Sequence, residues 1–266
     1  MSTTVDPGLD LERLRRAYQR DAMAYSRTLT EDNLMESTAQ GTQRAITLES
    51  FRAIRVHRPD IQCFNELLIQ YLRPGERPEK PGRVVPDNMI VVHPEPIENI
   101  GSYMMPIMKI RPTLVMEYVS DANTRKDYES SYEKYEEFVQ APYYLVFDPD
   151  ESKLDVFCLV RDRYERLNPN GEGRFPIPEL ELEVGLLDGW VRFWFRGELV
   201  PLVPEREEHL LEERHQRTLA QLERDAAMRE RDAAMARAAA LESELAALRA
   251  QLNTPQVRID EHSGTG

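Results

Sequence analysis

The sequence predicts a mixed α/β domain, built on a mixed sheet, with a long helix appended on its C-terminal side. Three observations carry that prediction. Short runs rich in Val, Ile, Leu and aromatic residues, bounded by Pro, Gly and Asp, recur between residues 84 and 195 around one amphipathic helical stretch. Proline then disappears between Pro204 and Pro255 while Ala, Leu, Glu and Arg dominate, as in a continuous helix. An apolar fraction of 41% over 266 residues can furnish a real core.

Taken in order, Leu9, Leu11, Leu14 and Tyr18 mark a peripheral helix or a semi-ordered arm. Leu48, Phe51 and Ile54 share one face of a short helix over Thr47–Val56. Ile61–Leu72 has the length of a strand between two Arg-Pro pairs and is read as one, although Ile61, Phe64, Leu68 and Tyr71 also fit helical spacing. Pro74–Gly82 is a loop by its prolines and charges. Val84–Val92 is a strand with Pro86 near its start, where a missing N–H is tolerated. Leu114–Val119 is a short apolar strand interrupted by Glu117. Asn123–Val139 is a helix, capped by Asn123 or Thr124, with Tyr128, Tyr132, Tyr135 and Val139 on one face. Strands follow at Tyr143–Phe147, Leu154–Val160 and Val191–Phe195, separated by turn residues. The organisation is therefore a partly helical arm over 1–46, the α/β domain over 47–202, a helix over 203–252 and a flexible end over 253–266.

Within the long helix, the block Arg224–Met228 recurs seven residues later as Arg231–Met235. Continuing that register puts Ala227, Ala234, Leu241 and Leu248 in one column and Ala238, Leu245 and Leu252 in the other. These are the core columns of a heptad repeat, and they predict a homo-oligomer held through residues 203–252 by a coiled coil. A single exposed helix with ion pairs along itself is the competing reading.

No run of eighteen apolar residues occurs, so no membrane-spanning helix is expected. Met1–Asp10 lacks the basic, apolar and small-residue succession of a secretory signal, and the two cysteines, Cys63 and Cys158, sit among apolar residues. Both features predict a cytoplasmic protein with buried thiols rather than a disulfide framework or a zinc site. The formal net charge of −13 repels nucleic acid over most of the surface. Any binding to DNA must then rest on a local basic patch, a metal ion or a partner. Glycine-rich phosphate loops and His-Glu-x-x-His spacing are absent, and the five histidines are scattered.

Chemistry concentrates in the acidic residues of the central segment. Pro86 and Asp87 open one strand, Glu117 interrupts another, and a helix carrying Lys126, Asp127 and Lys134 follows. A carboxylate inside an apolar strand costs on the order of several kcal/mol unless a cation, a proton or a donor meets it. Two carboxylates on neighbouring strands are enough to hold one Mg²⁺, which keeps several of its waters. Each residue also has a plainer reading. Asp87 reads equally as a turn or cap residue, Glu117 as the partner of an arginine at a sheet edge, and Lys126 and Lys134 as solvated helix charges.

The segments Val85–Val92, Leu114–Ser120, Arg125–Glu129, Glu133–Glu136 and Pro142–Pro149, with Pro178–Glu183 and Leu187–Trp194 further on, resemble in order and spacing the Uma-type restriction endonuclease family. The likeness covers about Thr47 to Pro201. It implies a PD-(D/E)XK nuclease-like core, with Asp87 and Glu117 as the carboxylates for Mg²⁺, Mn²⁺ being the alternative ion. It further implies an endonuclease that hydrolyses phosphodiester bonds, with nucleic acid, DNA in particular, as partner. The superfamily pattern places a lysine two residues after the second acid, where this chain has Val119, and the family's helical lysine position falls on Ser131. The resemblance therefore assigns the catalytic lysine to Lys134, with Lys126 in reserve. The alternative is a catalytically degenerate scaffold of the same fold that oligomerises through its C-terminal helix.

Overall fold

The computed structural model describes residues 10–29, 38–97, 101–119 and 125–252, and the chain divides into two compact units, Met1–Val203 and Pro204–Gly266. The first unit begins with α1 (Leu11–Ser26) and α2 (Thr38–Arg55), followed by β1 (Ile61–Asn65), β2 (Ile69–Tyr71), β3 (Gly82–Val84), β4 (Asn88–Val92) and β5 (Tyr103–Met104). Next come α3 (Met105–Met108), β6 (Leu114–Tyr118) and α4 (Arg125–Lys134), which runs into a π-helical turn over Tyr135–Val139. The unit closes with β7 (Tyr143–Asp148), β8 (Lys153–Val160), β9 (Arg163–Arg166), β10 (Phe175–Ile177), β11 (Leu182–Leu187), β12 (Trp190–Phe195) and β13 (Glu198–Leu199). The long helix α5 spans Val203–Leu252.

The mixed α/β class expected from the sequence is the class observed. A six-stranded sheet in the order β1-β4-β6-β7-β8-β9 is antiparallel except for the β6–β7 pair, which is parallel. Parallel neighbours need a crossover, and α4 supplies it. One face of this sheet packs on Phe51 and Ile54 of α2 and on the four-stranded sheet β10-β11-β12-β13. The opposite face packs Met89, Val91, Val115, Tyr144 and Val146 against the small sheet β3-β2-β5 and against Tyr135 and Val139. With both faces covered, the central strands read as continuous apolar runs instead of alternating ones.

Three predicted elements differ from the structure, and the cap expected at Asn123 or Thr124 lies outside the described residues. The strand expected at Val84–Val92 is broken: β3 ends at Val84 and β4 starts at Asn88 in another sheet, with Pro86 and Asp87 between them. The helix expected at Thr47–Val56 begins at Thr38. Its first half is buried through amides rather than hydrocarbon: Gln40 donates to the Tyr118 carbonyl (2.7 Å), and Gln43 donates to the carbonyl and accepts from the N–H of Val191 (3.1 and 2.9 Å). No apolar period marks such a face, so it is invisible to pattern reading. The single strand expected at Ile61–Leu72 is two strands in different sheets, because Glu66 takes φ 48° between them.

The floor beneath the π-helical turn is tight. A Cβ on Gly82 would come within 2.1 Å of the Tyr71 ring. That ring is buried and stacks on Phe138, centroids 5.0 Å apart, so it has no room to retreat. Gly82→Ala is therefore expected to cost about 1–3 kcal/mol of stability by overpacking, read as a lower denaturant midpoint with an unchanged slope.

In the second unit, α5 leaves Leu241, Leu245 and Leu248 each more than half exposed. No helix among the described residues is long and apolar enough to cross a membrane.

Candidate active site

The strand register brings the two acids together. Antiparallel β4 and β6 pair Met89 with Val115 and Asn88 with Met116, and one further step sets Asp87 opposite Glu117. Directly opposed residues in an antiparallel pair project to the same face. The two carboxyl groups are near enough for each to affect the ionisation of the other.

Each acid has its own donors. The Tyr118 N–H donates to Asp87 Oδ2 (2.6 Å), and Arg44 Nη2 of α2 donates to Oδ1 (2.9 Å). Arg44 also reaches Glu66 Oε1 through Nη1 (3.2 Å). The hydroxyl of Tyr135, fully buried at the start of the π-helical turn, donates to Glu117 Oε1 (2.5 Å). That turn is anchored by buried Glu136, which accepts from the Tyr164 N–H (2.8 Å) and from Arg163 Nη1 (2.7 Å). Irregular helical turns of this kind recur where a helix must re-aim a side chain at a working site.

The electrostatics follow from this crowding. Burial pushes Glu117 well above the usual carboxylate range and the charge of Asp87 pushes it further, while Tyr135 and Lys134 oppose the rise. Burial also raises Asp87, against the pull of the Tyr118 N–H and Arg44. Two carboxyls side by side cannot both ionise cheaply. The crowding therefore favours a proton on the pair, and on Glu117 more than on Asp87, whose charge Arg44 offsets.

The predicted residues meet in part. Asp87 and Glu117 converge, and Lys134 is close enough to lower the Glu117 proton affinity through its charge. Lys126 lies in the first turn of α4, but its side chain lies outside the described residues. Val119, at the superfamily's lysine position, packs into the apolar cluster beside Tyr135, and Ser131 is half-buried. The arginine that the plainer reading of Glu117 required is present, but it pairs with Asp87 instead. Pattern reading missed Arg44, which sat in a stretch read as a polar arm, and treated Tyr135 only as a face residue. A buried tyrosine hydroxyl needs a partner, and the lone carboxylate of an apolar strand needs a donor; those two needs are the signal that pointed to their contact.

The donor set suits a small hard cation. It offers oxygen only, from two carboxylates whose repulsion a divalent charge would relieve. Among the described residues no group of three or more His, Cys, Asp or Glu is placed to hold a metal ion, so any cation here would rest on these two carboxylates and on water. The thiols offer no competing chemistry: both are free, and burial pushes Cys63 up to about 12. Tyr135→Phe removes the donor that favours ionised Glu117. The expected result is about tenfold weaker Mn²⁺ binding by calorimetry, the usual scale for losing a group that orients a ligand.

A basic surface lies beside the acids in the chain. Residues 10–29 and 73–83 together carry nine cations and five acids in a protein of net charge −13. The two segments are joined by Arg13–Glu79 (2.9 Å), by Arg83–Asp21 (2.6 Å) and by the Arg83 guanidinium over the Tyr25 ring. Arg15, Arg16, Arg20, Arg77 and Lys80 remain exposed, with no acidic partner among the described residues. Arg83 is four residues from Asp87, at most about 14 Å along an extended chain.

The model of the Uma2 family, whose description reads "Putative restriction endonuclease", matches residues 12–188. Among solved structures the chain is similar to a crystal structure of a "putative nuclease" from Anabaena variabilis ATCC 29413, with 15% identity and a TM-score of 0.41 over 55% of this chain and 75% of that one. No curated protein matches. The family match takes in α1, α2, both acids, Tyr135 and Lys134 and spans more than half of the sequence; the chain belongs to the Uma2 restriction endonuclease-like family.

Proposed function

We propose that this protein is a divalent-metal-dependent endonuclease that hydrolyses phosphodiester bonds in DNA. One observation carries the reading: Asp87 and Glu117 stand opposite each other at neighbouring strands, where burial and the charge of Asp87 push Glu117 well above the usual carboxylate range. Asp87 and Glu117 would hold Mg²⁺, or Mn²⁺ in its place. The chemistry such an ion supplies when bound is a lowered pKa for water and screening of phosphate charge. Tyr135 and the Tyr118 N–H orient the two carboxylates toward each other. Lys134 would stabilise the negative charge that develops on the phosphate, with Lys126 as its reserve.

The basic surface formed by α1 and the 73–83 segment supports nucleic acid as the partner, because it concentrates exposed arginines on an otherwise acidic chain. The triple variant Arg15→Ala, Arg16→Ala, Arg20→Ala tests it without touching the carboxylate pair. Titration of a labelled duplex at several salt concentrations is expected to show binding weakened at low salt. The slope of log affinity against log salt should become shallower by about 2.7, as for three lost phosphate contacts.

Incubating the purified chain with supercoiled plasmid and with single-stranded DNA, with Mg²⁺ or Mn²⁺, tests the enzyme reading. Metal-dependent cleavage that disappears in Asp87→Asn supports it; no cleavage by the wild type, or equal cleavage by both proteins, removes it. Val119 and Ser131 at the expected lysine positions favour a second reading, a nuclease fold with a degenerate site that serves as an assembly module. Intact DNA binding and self-association without cleavage would select it.

A further inference from the structure

We propose that α5 is one strand of a parallel, in-register coiled coil, and that its partner is the same helix of a second copy of this chain. Among the described residues of its own unit nothing covers the apolar stripe: Leu241, Leu245 and Leu248 are 62%, 52% and 52% exposed, and Met235 beside them is 64% exposed. Burying such a row is the usual driving force for pairing two amphipathic helices.

The charges choose the partner and its direction. Arg237, Glu242, Glu244 and Arg249 flank the stripe, and none has an opposite charge three or four residues away along its own helix. They therefore cannot form the intrahelical pairs that a solitary helix uses, such as Glu213–Arg217 earlier in α5. Their spacing is instead five: Arg237 to Glu242 and Glu244 to Arg249. Five is the offset at which a residue just before one core column meets the residue just after the other column on a parallel partner. In a parallel, in-register pair, Arg237 meets Glu242 of the other copy and Glu244 meets its Arg249, each twice by symmetry. An antiparallel partner sets like positions against like, and any one alignment satisfies either the 237–244 pairing or the 242–249 pairing, not both.

The core residues set the number of strands. At the core columns Ala234 and Ala238 come first and Leu241, Leu245, Leu248 and Leu252 follow. Small alanine layers fill the narrow space between two closely approaching helices, whereas a wider three-stranded core would leave voids there. Upstream, Arg224 and Arg231 occupy core positions, so the seam closes from residue 234 onward and is short. A short seam gives an association sensitive to concentration.

Sedimentation velocity of the full-length chain from about 1 to 200 μM is the test. The expected result is a monomer–dimer equilibrium that Leu245→Asp shifts to monomer with the melting of the first unit unchanged. Arg249→Glu should raise the dissociation constant about tenfold, the order expected when two surface pairs become repulsive. Adding Glu244→Arg to it should restore wild-type affinity, which a merely misfolded helix would not do. Ala238→Cys should form an intermolecular disulfide under mild oxidation that the wild type does not form, because the two copies of residue 238 face each other only in this arrangement. Monomer at every concentration, a trimer, or a dimer without that cross-link overturns the proposal. The outcome is independent of DNA cleavage.

Discussion

Glu117→Gln is expected to abolish cleavage while making the metal-free protein more stable at alkaline pH. A fall of at least about a thousandfold in rate, about 4 kcal/mol of lost transition-state stabilisation, follows if Glu117 holds the cation. The gain in stability follows from its environment. Burial and the neighbouring charge of Asp87 raise the folded-state proton affinity of Glu117 well above the ordinary 4.5. The folded chain therefore keeps a proton that the unfolded chain has already released. Stability is unaffected below the unfolded value, falls as pH rises above about 4.5, and stops falling once pH passes the folded value. Each pH unit in that window costs up to about 1.4 kcal/mol for one proton, about 3 °C in Tm for a domain of this size. Glutamine needs no proton and can still accept from Tyr135, so the variant's Tm should stay flat where the wild type declines. Thermal melts in chelator from pH 5 to 9, run beside cleavage assays, check both halves. An inactive variant that also melts lower at every pH would mean that Glu117 is simply structural.

The second large effect is the coupling of metal to protons. A divalent cation bound between Asp87 and Glu117 would compete with protons for the same carboxylates, so its affinity should increase with pH across the same window. Mn²⁺ or Mg²⁺ at about a hundred times its dissociation constant is expected to add about 2.7 kcal/mol, visible as a Tm rise of several degrees at pH 8. At pH 5 the rise should be much smaller, because the ion then competes with a fully loaded proton site. Asp87→Asn and Glu117→Gln should each lose the shift. A metal-induced rise that is the same at both pH values, or that survives in both variants, would locate the ion elsewhere. Arg44→Ala separates the guanidinium's two roles: it removes the resident counter-charge of Asp87, so the metal-free protein should weaken while the metal-induced shift grows.

Much of this was legible in the residues themselves. Glu117 drew attention because a charge inside Leu114–Tyr118 breaks an otherwise apolar strand, and Asp87 because it follows a proline at a strand start. The order of these segments identified the family, and the loss of proline after Pro204 with the heptads identified the long helix. What pattern could not supply was any contact made through polar side chains across long sequence separations. The first half of α2 is buried by Gln40 and Gln43, so it carries no apolar period, and with it Arg44 was read as part of an arm. The break at Glu66 that divides one predicted strand between two sheets depends on a single left-handed backbone angle.

Composition and periodicity determined the class of fold, the place of Glu117 inside its strand and the extent of α5, because buried strands and long helices leave a compositional and periodic trace in one dimension. Only the folded chain decided that residue 87 stands opposite residue 117, that a tyrosine eighteen positions beyond Glu117 reaches back to it, and that an arginine from a distant helix neutralises Asp87. Strand register and directional hydrogen bonds arise from pairing in three dimensions, and a linear pattern does not encode them.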